Sequence, residues 1–169
     1  MAGSSASTYV MGEGSDLYRR SLYTYWKRSV PNPGMLLFDA PFRQTCTMRR
    51  SRTNTPLQAL NLMNDPTYVE AARFLAQRMV REGGTTAREC ISHGFQLVLV
   101  RPPNATELGI LGRAYDRFFE EFRDDPEAAA DLISVGESPA NTQIERSHLA
   151  ALTAVASTIL NLDEAVTKE

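Results

Sequence analysis

Cysteine and histidine are scarce in this sequence, and their scarcity limits the chemistry that it can support. The 169 residues include two cysteines, Cys46 and Cys90, and two histidines, His93 and His148. The cysteines are too few for a disulfide scaffold and lack the spacing of a zinc or haem motif. We expect free, buried thiols, with a single bridge as the alternative. His93 falls with Glu89 and Gln96 toward the polar side of its helix, and His148 opens the last helix with no second ligand four residues on. We therefore interpret both as surface or capping residues and predict no metal site.

Familiar catalytic and membrane signals are also missing. The sequence has no phosphate-binding G-x-x-x-x-G-K motif, no dinucleotide-binding G-x-G-x-x-G motif and no G-x-S-x-G motif around a nucleophile. The N-terminal region has no apolar stretch typical of a signal peptide. The longest apolar stretch, Leu149 to Leu162, is interrupted by polar residues and is too short to span a bilayer. We therefore expect neither classical catalysis by this chain alone nor a membrane span.

The charges are unevenly distributed, although the formal net charge of −2 is small. Between Leu17 and Arg52 there are eight cations and one anion, Asp39. Because the whole chain has 18 cations and 20 anions, the rest of it contains ten cations and nineteen anions. This pattern indicates two halves that complement each other, the interpretation that we favour, or a basic binding surface. The acidic run from Glu120 to Glu127 is interpreted as a solvated helix end. Because the isoelectric point is near 5.8, we do not expect a nucleic-acid partner.

The N-terminal third of the sequence has little regular pattern. Residues 1–16 are mostly small or polar and are interpreted as a disordered lead-in. For residues 17–54 we predict an extended, proline-rich basic segment. Its aromatic run from Tyr18 to Arg28 alternates in part, which favours a short strand or an extended stretch, and an irregular loop follows from Pro31 to Pro41.

Residues 55–169 have a helical pattern, so the predicted fold class is mainly α, an irregular array or bundle of about five or six helices. Helix starts are indicated at Thr55-Pro56, Asp65-Pro66 and Asp125-Pro126, where a capping residue precedes a proline. Two capping boxes begin at Thr86 and Asn104. A last helix, apolar on most sides, is predicted from Ile144 to Val166. Residues 17–169 are interpreted as the C-terminal fragment of one larger domain.

The helix that begins after Asp65 is predicted to have one apolar side and one polar side. The pattern places an apolar stripe toward the core: Tyr68, Ala72, Leu75 and Met79. It places a second set toward the other side: Glu70, Arg73, Gln77 and Arg81.

An arginine cluster precedes the first of these helices and is the best candidate for a site. Arginine forks suit carboxylate, phosphate or sulfate, and a helix N-terminus offers backbone N–H groups to an anion. The anion-binding candidates are Arg49, Arg50, Arg52, Asn54 and Thr55. The alternative, which we weigh more heavily, is that the arginines bind carboxylates elsewhere in the fold, with Asp39 as a structural partner.

Several segments together resemble a known family. They are YRRSLYTYWKR, MLLFDAP, CTMRRSRTNTPLQALNLMNDPTYVEAAR, LVRPPNATE and LNLDEAVTKE. From about Tyr9 to Glu169 the chain resembles the C-terminal part of the planctomycete domain of unknown function 1553, also called the PSD family. Members are typically longer, commonly exported, and often carry a c-type cytochrome domain, so the resemblance implies an extracytoplasmic (periplasmic or secreted) location. It brings no established catalytic residues.

From this resemblance we predict a structural or binding module of an exported multidomain protein associated with c-type cytochrome domains. One alternative is a subdomain of an enzyme of polysaccharide breakdown, in which Asp39 and the arginine cluster contribute to an active site completed by a missing N-terminal half. The other is a module that binds sulfated or acidic glycans. The expected partners are the missing N-terminal part, companion domains and acidic polysaccharide. No cofactor is expected within this chain, and haem is expected only in a full-length parent.

Overall fold

A computed structural model describes residues 9–27, 29–42, 45–49 and 51–167 of the protein. These residues form eight α-helices and no strand, which confirms the mainly helical fold class. The helices are α1 Pro33–Leu37, α2 Pro56–Asn64, α3 Pro66–Glu82, α4 Ala87–Leu99, α5 Ala105–Asp124, α6 Pro126–Ser134, α7 Arg146–Leu160 and α8 Asp163–Val166. The chain divides into two compact units, residues 1–61 and 62–169, and the boundary falls within α2.

The N-terminal unit differs from its prediction in two places. Where a strand was one expectation, Ser21–Tyr23 form a single 3-10 turn, and Tyr23 and Tyr25 are largely exposed, so no buried face supports strand pairing. Arg28, at the end of that segment, lies outside the described residues, as do residues 1–8 of the predicted lead-in. The predicted irregular loop contains α1, because the Asn32 side chain accepts a hydrogen bond from the Met35 N–H and Pro33 is at the first helical position.

A polar network connects α1 to the start of α2 within the N-terminal unit. Gln58 is buried; its amide nitrogen donates to the Leu37 carbonyl at 2.6 Å and to Thr53 Oγ1 at 3.1 Å. The Thr55 N–H donates to Gln58 Oε1 at 2.8 Å, and the Gln58 N–H donates to Thr55 Oγ1 at 3.3 Å. These reciprocal bonds form a capping box, so the predicted helix start at Thr55 is confirmed. Asp39, whose φ is 59°, accepts from the Thr53 N–H at 2.8 Å.

The helical unit is arranged around α7, which packs against α3, α4, α5, α6 and α8. Its buried residues surround the helix axis: Leu149, Ala150, Ala151, Leu152, Val155, Ala156 and Ile159. A helix that is apolar on most sides was predicted to lie among others, and it does. The last helix is shorter than predicted, because α7 ends at Leu160 and α8 begins at Asp163 after a break at Asn161 and Leu162.

The helix starts predicted in this unit are confirmed. Asp65 caps α3, and Asp125 caps α6 through its side chain. Thr86 and Asn104 form the predicted capping boxes, in which Glu89 and Glu107 return hydrogen bonds to the cap residues. These signals are local, because each cap is satisfied within four residues of the chain.

One arginine holds three helix ends together. Arg101 donates to both carboxylate oxygens of Glu107 at the start of α5 and to both of Glu164 in α8. Its guanidinium carbon lies 4.9 Å from the centre of the Phe95 ring in α4. Hydrogen bonds from Arg101 and from the Asn104 backbone lower the pKa of Glu107 to about 2. The chain before Arg101 turns at Val100, whose φ is 60°.

Candidate functional site

The arginine cluster is exposed where the structure describes it. Arg49, Arg52 and Asn54 are exposed and Thr55 is half-buried, while Arg50 lies outside the described residues. Arg49 forms no ion pair with any residue that the structure describes. Exposure of two arginines at the start of α2 is the arrangement expected of a surface anion site.

The backbone at the start of α2 contributes less to such a site than the sequence suggested. The Thr55 and Gln58 N–H groups bond within the capping box, and Pro56 has no N–H. The Leu57 N–H is therefore the first-turn amide that remains for an anion. The carboxylate of Asp39, the predicted structural partner, accepts hydrogen bonds from the backbone and hydroxyl of Thr53. The pairing of Asp39 with the arginines stays a prediction.

The prediction that Glu70 and Arg73 lie on a polar side of α3 away from the core is wrong, because both side chains are fully buried. Arg73 Nη2 lies 3.3 Å from Glu70 Oε1 and donates to the Ser138 carbonyl at 2.7 Å. The Ser138 N–H donates to the same Glu70 oxygen at 2.8 Å. One buried ion pair therefore binds both the backbone N–H and the backbone carbonyl of Ser138, which lies in the connection from α6 to α7.

The connection approaches Glu70 closely at Gly136. A Cβ built at this position would lie 2.5 Å from Glu70 Cδ, and the φ of 101° is one that few residues with side chains adopt. Two further donors of Arg73, Nε and Nη1, are buried and have no hydrogen-bond partner among the residues that the structure describes. The ion pair is therefore tightly enclosed, and its role in this unit is to fix the connection before α7.

A second polar contact lies between α5 and α7. Tyr115 Oη and His148 Nδ1 are 2.7 Å apart, and their rings meet edge to face with centroids 5.7 Å apart. Burial raises the pKa of Tyr115 to about 12, and burial lowers the pKa of His148 below its ordinary value of 6.5 while Glu145 opposes that change. His148 is half-buried and packs in the fold, so its interpretation as a plain surface or capping residue is wrong.

The pKa of His148 predicts a loss of stability in mild acid. Because the pKa is lowered in the folded state, the unfolded chain binds the proton more readily as the pH falls below 6.5. We expect the free energy of unfolding to be highest above pH 6.5 and to decrease until the pH has passed the folded-state pKa. Urea melts between about pH 7.5 and 5 measure this change.

The control for this pH dependence is the other histidine. His148→Gln, which cannot take up a proton, should flatten the dependence in this range, whereas His93→Gln should retain it. His93 lies near Glu82, with 3.6 Å between Nε2 and Oε2, and is separate from the Tyr115 contact. An unchanged slope in His148→Gln would show that this histidine does not cause the acid loss.

The two cysteines and the other potential metal ligands form no cluster among the described residues. Cys46 is an exposed free thiol, contrary to the expected burial, and Cys90 is a buried free thiol whose pKa is raised by burial. Among residues 9–27, 29–42, 45–49 and 51–167, no group of three or more His, Cys, Asp or Glu side chains could hold a metal ion. Within the same residues, no helix is both long and apolar enough to cross a membrane.

Comparison with protein families matches most of the chain. The model of a family described as PSD1, protein of unknown function (DUF1553), matches residues 2–115. No curated protein and no solved structure matches the chain. The matched range contains the arginine cluster, the Glu70–Arg73 pair and α1 to α4. The segment LNLDEAVTKE lies outside it, so the resemblance of that segment to the family stays a prediction.

Proposed function

The chain belongs to the PSD1 family of proteins of unknown function (DUF1553), and on that basis we propose that it is a structural and binding module of a longer, exported protein. That protein also carries c-type cytochrome domains. The binding surface is the exposed apolar and basic surface of residues 9–61, and its partner is another part of the same protein, the N-terminal part of the family domain.

The observation that supports this proposal is that the N-terminal unit buries a polar side chain and exposes large apolar ones. Among its described residues, Gln58 is the one buried side chain, and it is polar. Ten large apolar side chains are exposed: Val10, Met11, Tyr18, Leu22, Tyr23, Tyr25, Phe42, Met48, Leu57 and Leu60. Exposure of this much apolar surface marks a site of interaction with another protein surface.

The aromatic and basic segment from Tyr18 to Lys27 contributes four of these ten side chains. The exposed fractions are 77% for Leu22, 70% for Tyr23 and 86% for Tyr25. Arg20 is exposed and forms no ion pair with a described residue. Tyrosine and arginine are among the residues that contribute most to protein interfaces, since their side chains combine large contact areas with hydrogen bonding.

Hydrogen exchange tests whether this segment is covered in a longer protein. We expect amides of residues 18–27 to exchange almost freely in the present chain, and α3, α4, α5 and α7 to be strongly protected. In a longer protein that includes the N-terminal part of the domain, residues 18–27 should become protected by about tenfold or more.

The helices of the second unit serve as the internal reference. Protection of α4 should be the same in the present chain and in the longer protein, because its core is complete in both. Equal protection of residues 18–27 and of α4 in the present chain would contradict the proposal.

A second candidate function, binding of acidic or sulfated glycans, is favoured by the exposure of Arg49 and Arg52. Arginine binds sulfate and carboxylate through paired N–H groups, and a surface site of this kind weakens as salt increases. The arginine cluster, Arg50 included, is the binding group in this proposal.

A triple variant distinguishes ligand binding from a structural role of the cluster. We expect Arg49→Gln, Arg50→Gln and Arg52→Gln together to reduce affinity for a sulfated glycan such as heparin by at least about tenfold, with little change in melting temperature. Arg88→Gln, an exposed arginine in α4, is the matched control. Binding would be measured by isothermal titration calorimetry, and a large fall in melting temperature with unchanged affinity would establish the structural role instead.

A further inference from the structure

The guanidinium of Arg73 points to a bound acceptor inside the helical unit. A guanidinium carries five N–H groups and no acceptor of its own. In Arg73, Nη2 donates to Glu70 and to the Ser138 carbonyl, whereas Nε and Nη1 are buried with no acceptor in the part of the chain that the structure describes. The side chain is 0% exposed, so bulk solvent does not reach these donors. Because buried charged groups in native proteins are hydrogen-bonded, the two nitrogens indicate a ligand.

A third donor of this kind lies one turn further along α3. The amide nitrogen Nε2 of Gln77 is buried, and it too has no partner among the described residues. Residues four apart lie on the same side of a helix, and long side chains lean toward the helix N-terminus, which brings the Gln77 amide toward Arg73. Because both groups are donors, they do not bond to each other, and an acceptor between them would satisfy both.

The charge balance around Arg73 disfavours an anion as this acceptor. Glu70 already supplies one carboxylate to the one guanidinium, with 3.3 Å between Oε1 and Nη2, and both side chains are fully buried. A buried anion beside them would place two negative charges next to one cation. An uncompensated buried charge is costly, so the ligand must be neutral.

The size of the ligand is limited by the close packing around the ion pair. On one side, a Cβ built at Gly136 would lie 2.5 Å from Glu70 Cδ. On another, the ring of Phe74 has its centre 5.2 Å from the guanidinium carbon of Arg73. Enclosed polar sites of this kind hold single water molecules, each of which makes about three hydrogen bonds to groups that otherwise have no partner. Water can accept from Arg73 and Gln77 and donate to a carboxylate.

We propose that Arg73 and Gln77 bind ordered internal water, and that at least one water molecule bridges the two side chains. This water completes the hydrogen bonds of the buried guanidinium, while Glu70 balances its charge. The network that fixes Ser138, and with it the connection from α6 to α7, is therefore a hydrated ion pair. The site lies within residues 62–169, so the proposal is independent of the partner of the N-terminal unit.

A crystal structure of the full chain, at a resolution that shows ordered water, tests the site. We expect electron density at about 2.7–3.2 Å from Nε or Nη1 of Arg73 and at a similar distance from the Gln77 amide. Crystals grown in sodium bromide distinguish water from a halide ion, because bromide gives an anomalous signal and water does not. An anomalous peak at this position would overturn the neutral ligand.

A dry site would overturn the proposal as well. In that outcome Arg73 would bond to both oxygens of Glu70, or Gln77 would turn its amide so that Oε1 accepts directly from Arg73. Either arrangement would satisfy the donors without a ligand, and the same crystal structure shows it.

A pair of variants tests the bridge. Gln77→Met retains the length of the side chain and removes the donor, so the density of the bridging water should fall by about half or more, since one of its roughly three hydrogen bonds is lost. Gln96→Met, at an exposed glutamine of α4, is the matched control and should leave the water unchanged. Full density in Gln77→Met would show that this residue does not hold the water, and the bridge would be refuted.

Discussion

Replacing Arg73 by alanine should destabilise the helical unit by about 3–5 kcal/mol, among the largest effects expected of any single change. Arg73 is fully buried, and its removal takes away the cation that lies 3.3 Å from the buried carboxylate of Glu70. The Ser138 carbonyl loses its donor at the same time. Urea denaturation followed by circular dichroism at 222 nm measures the effect, because the helical signal is dominated by the second unit.

Two further variants identify the cause of this loss. Arg78→Ala removes an arginine from the exposed side of the same helix, where it pairs with Glu82, and should leave the melting curve nearly unchanged. The double variant Glu70→Gln/Arg73→Met removes both charges and should recover part of the stability, because no uncompensated charge remains. If Arg73→Ala melted like Arg78→Ala, the buried pair would have no energetic importance.

Replacing Phe95 by alanine should cost about 3–5 kcal/mol, because a large, fully buried ring is removed from the core. The loss has two parts. The ring fills space beside α7, and its face lies 4.9 Å from the guanidinium carbon of Arg101, so a cavity and a lost cation–π contact both contribute. Urea melts give the total.

A graded series separates the two contributions. Phe95→Leu retains most of the packing and should cost about 1–2 kcal/mol, with the cation–π contact as part of the loss. Ile110→Ala, at a side chain that is 53% exposed, should change stability by no more than about 0.5 kcal/mol. A loss at Ile110 equal to that at Phe95 would mean that the burial assigned to α4 and α5 is wrong.

The features that could be predicted from the sequence are those that depend on residues close together in the chain. The starts of α2, α3, α4, α5 and α6 follow from capping residues that bond within four positions, so Thr86 and Asn104 could be identified from the sequence alone. The same signal at Asn32-Pro33 was missed, because the short α1 carries too few apolar residues to show a period.

What could not be predicted depends on distant partners. Glu70 and Arg73 have charges typical of an outer helix face, and their burial follows from Ser138, which is 65 residues beyond Arg73. His148 meets Tyr115 from 33 residues away, and no local pattern indicates the pair. The surroundings of the arginine cluster could be predicted in part. The sequence identified the capped helix start, but not that the Gln58 side chain would accept from the Thr55 N–H while the Thr55 hydroxyl accepts from the Gln58 N–H.

The position of α7 in the chain has a consequence for how the protein is made. Helices α3 to α6 are synthesised before the helix around which they pack, so their apolar sides have no partner while the ribosome adds the next residues. Stable folding of this unit must wait until α7 leaves the exit tunnel. Until then the apolar residues of α3, α4 and α5 are without the helix that covers them, whatever the final stability of the unit.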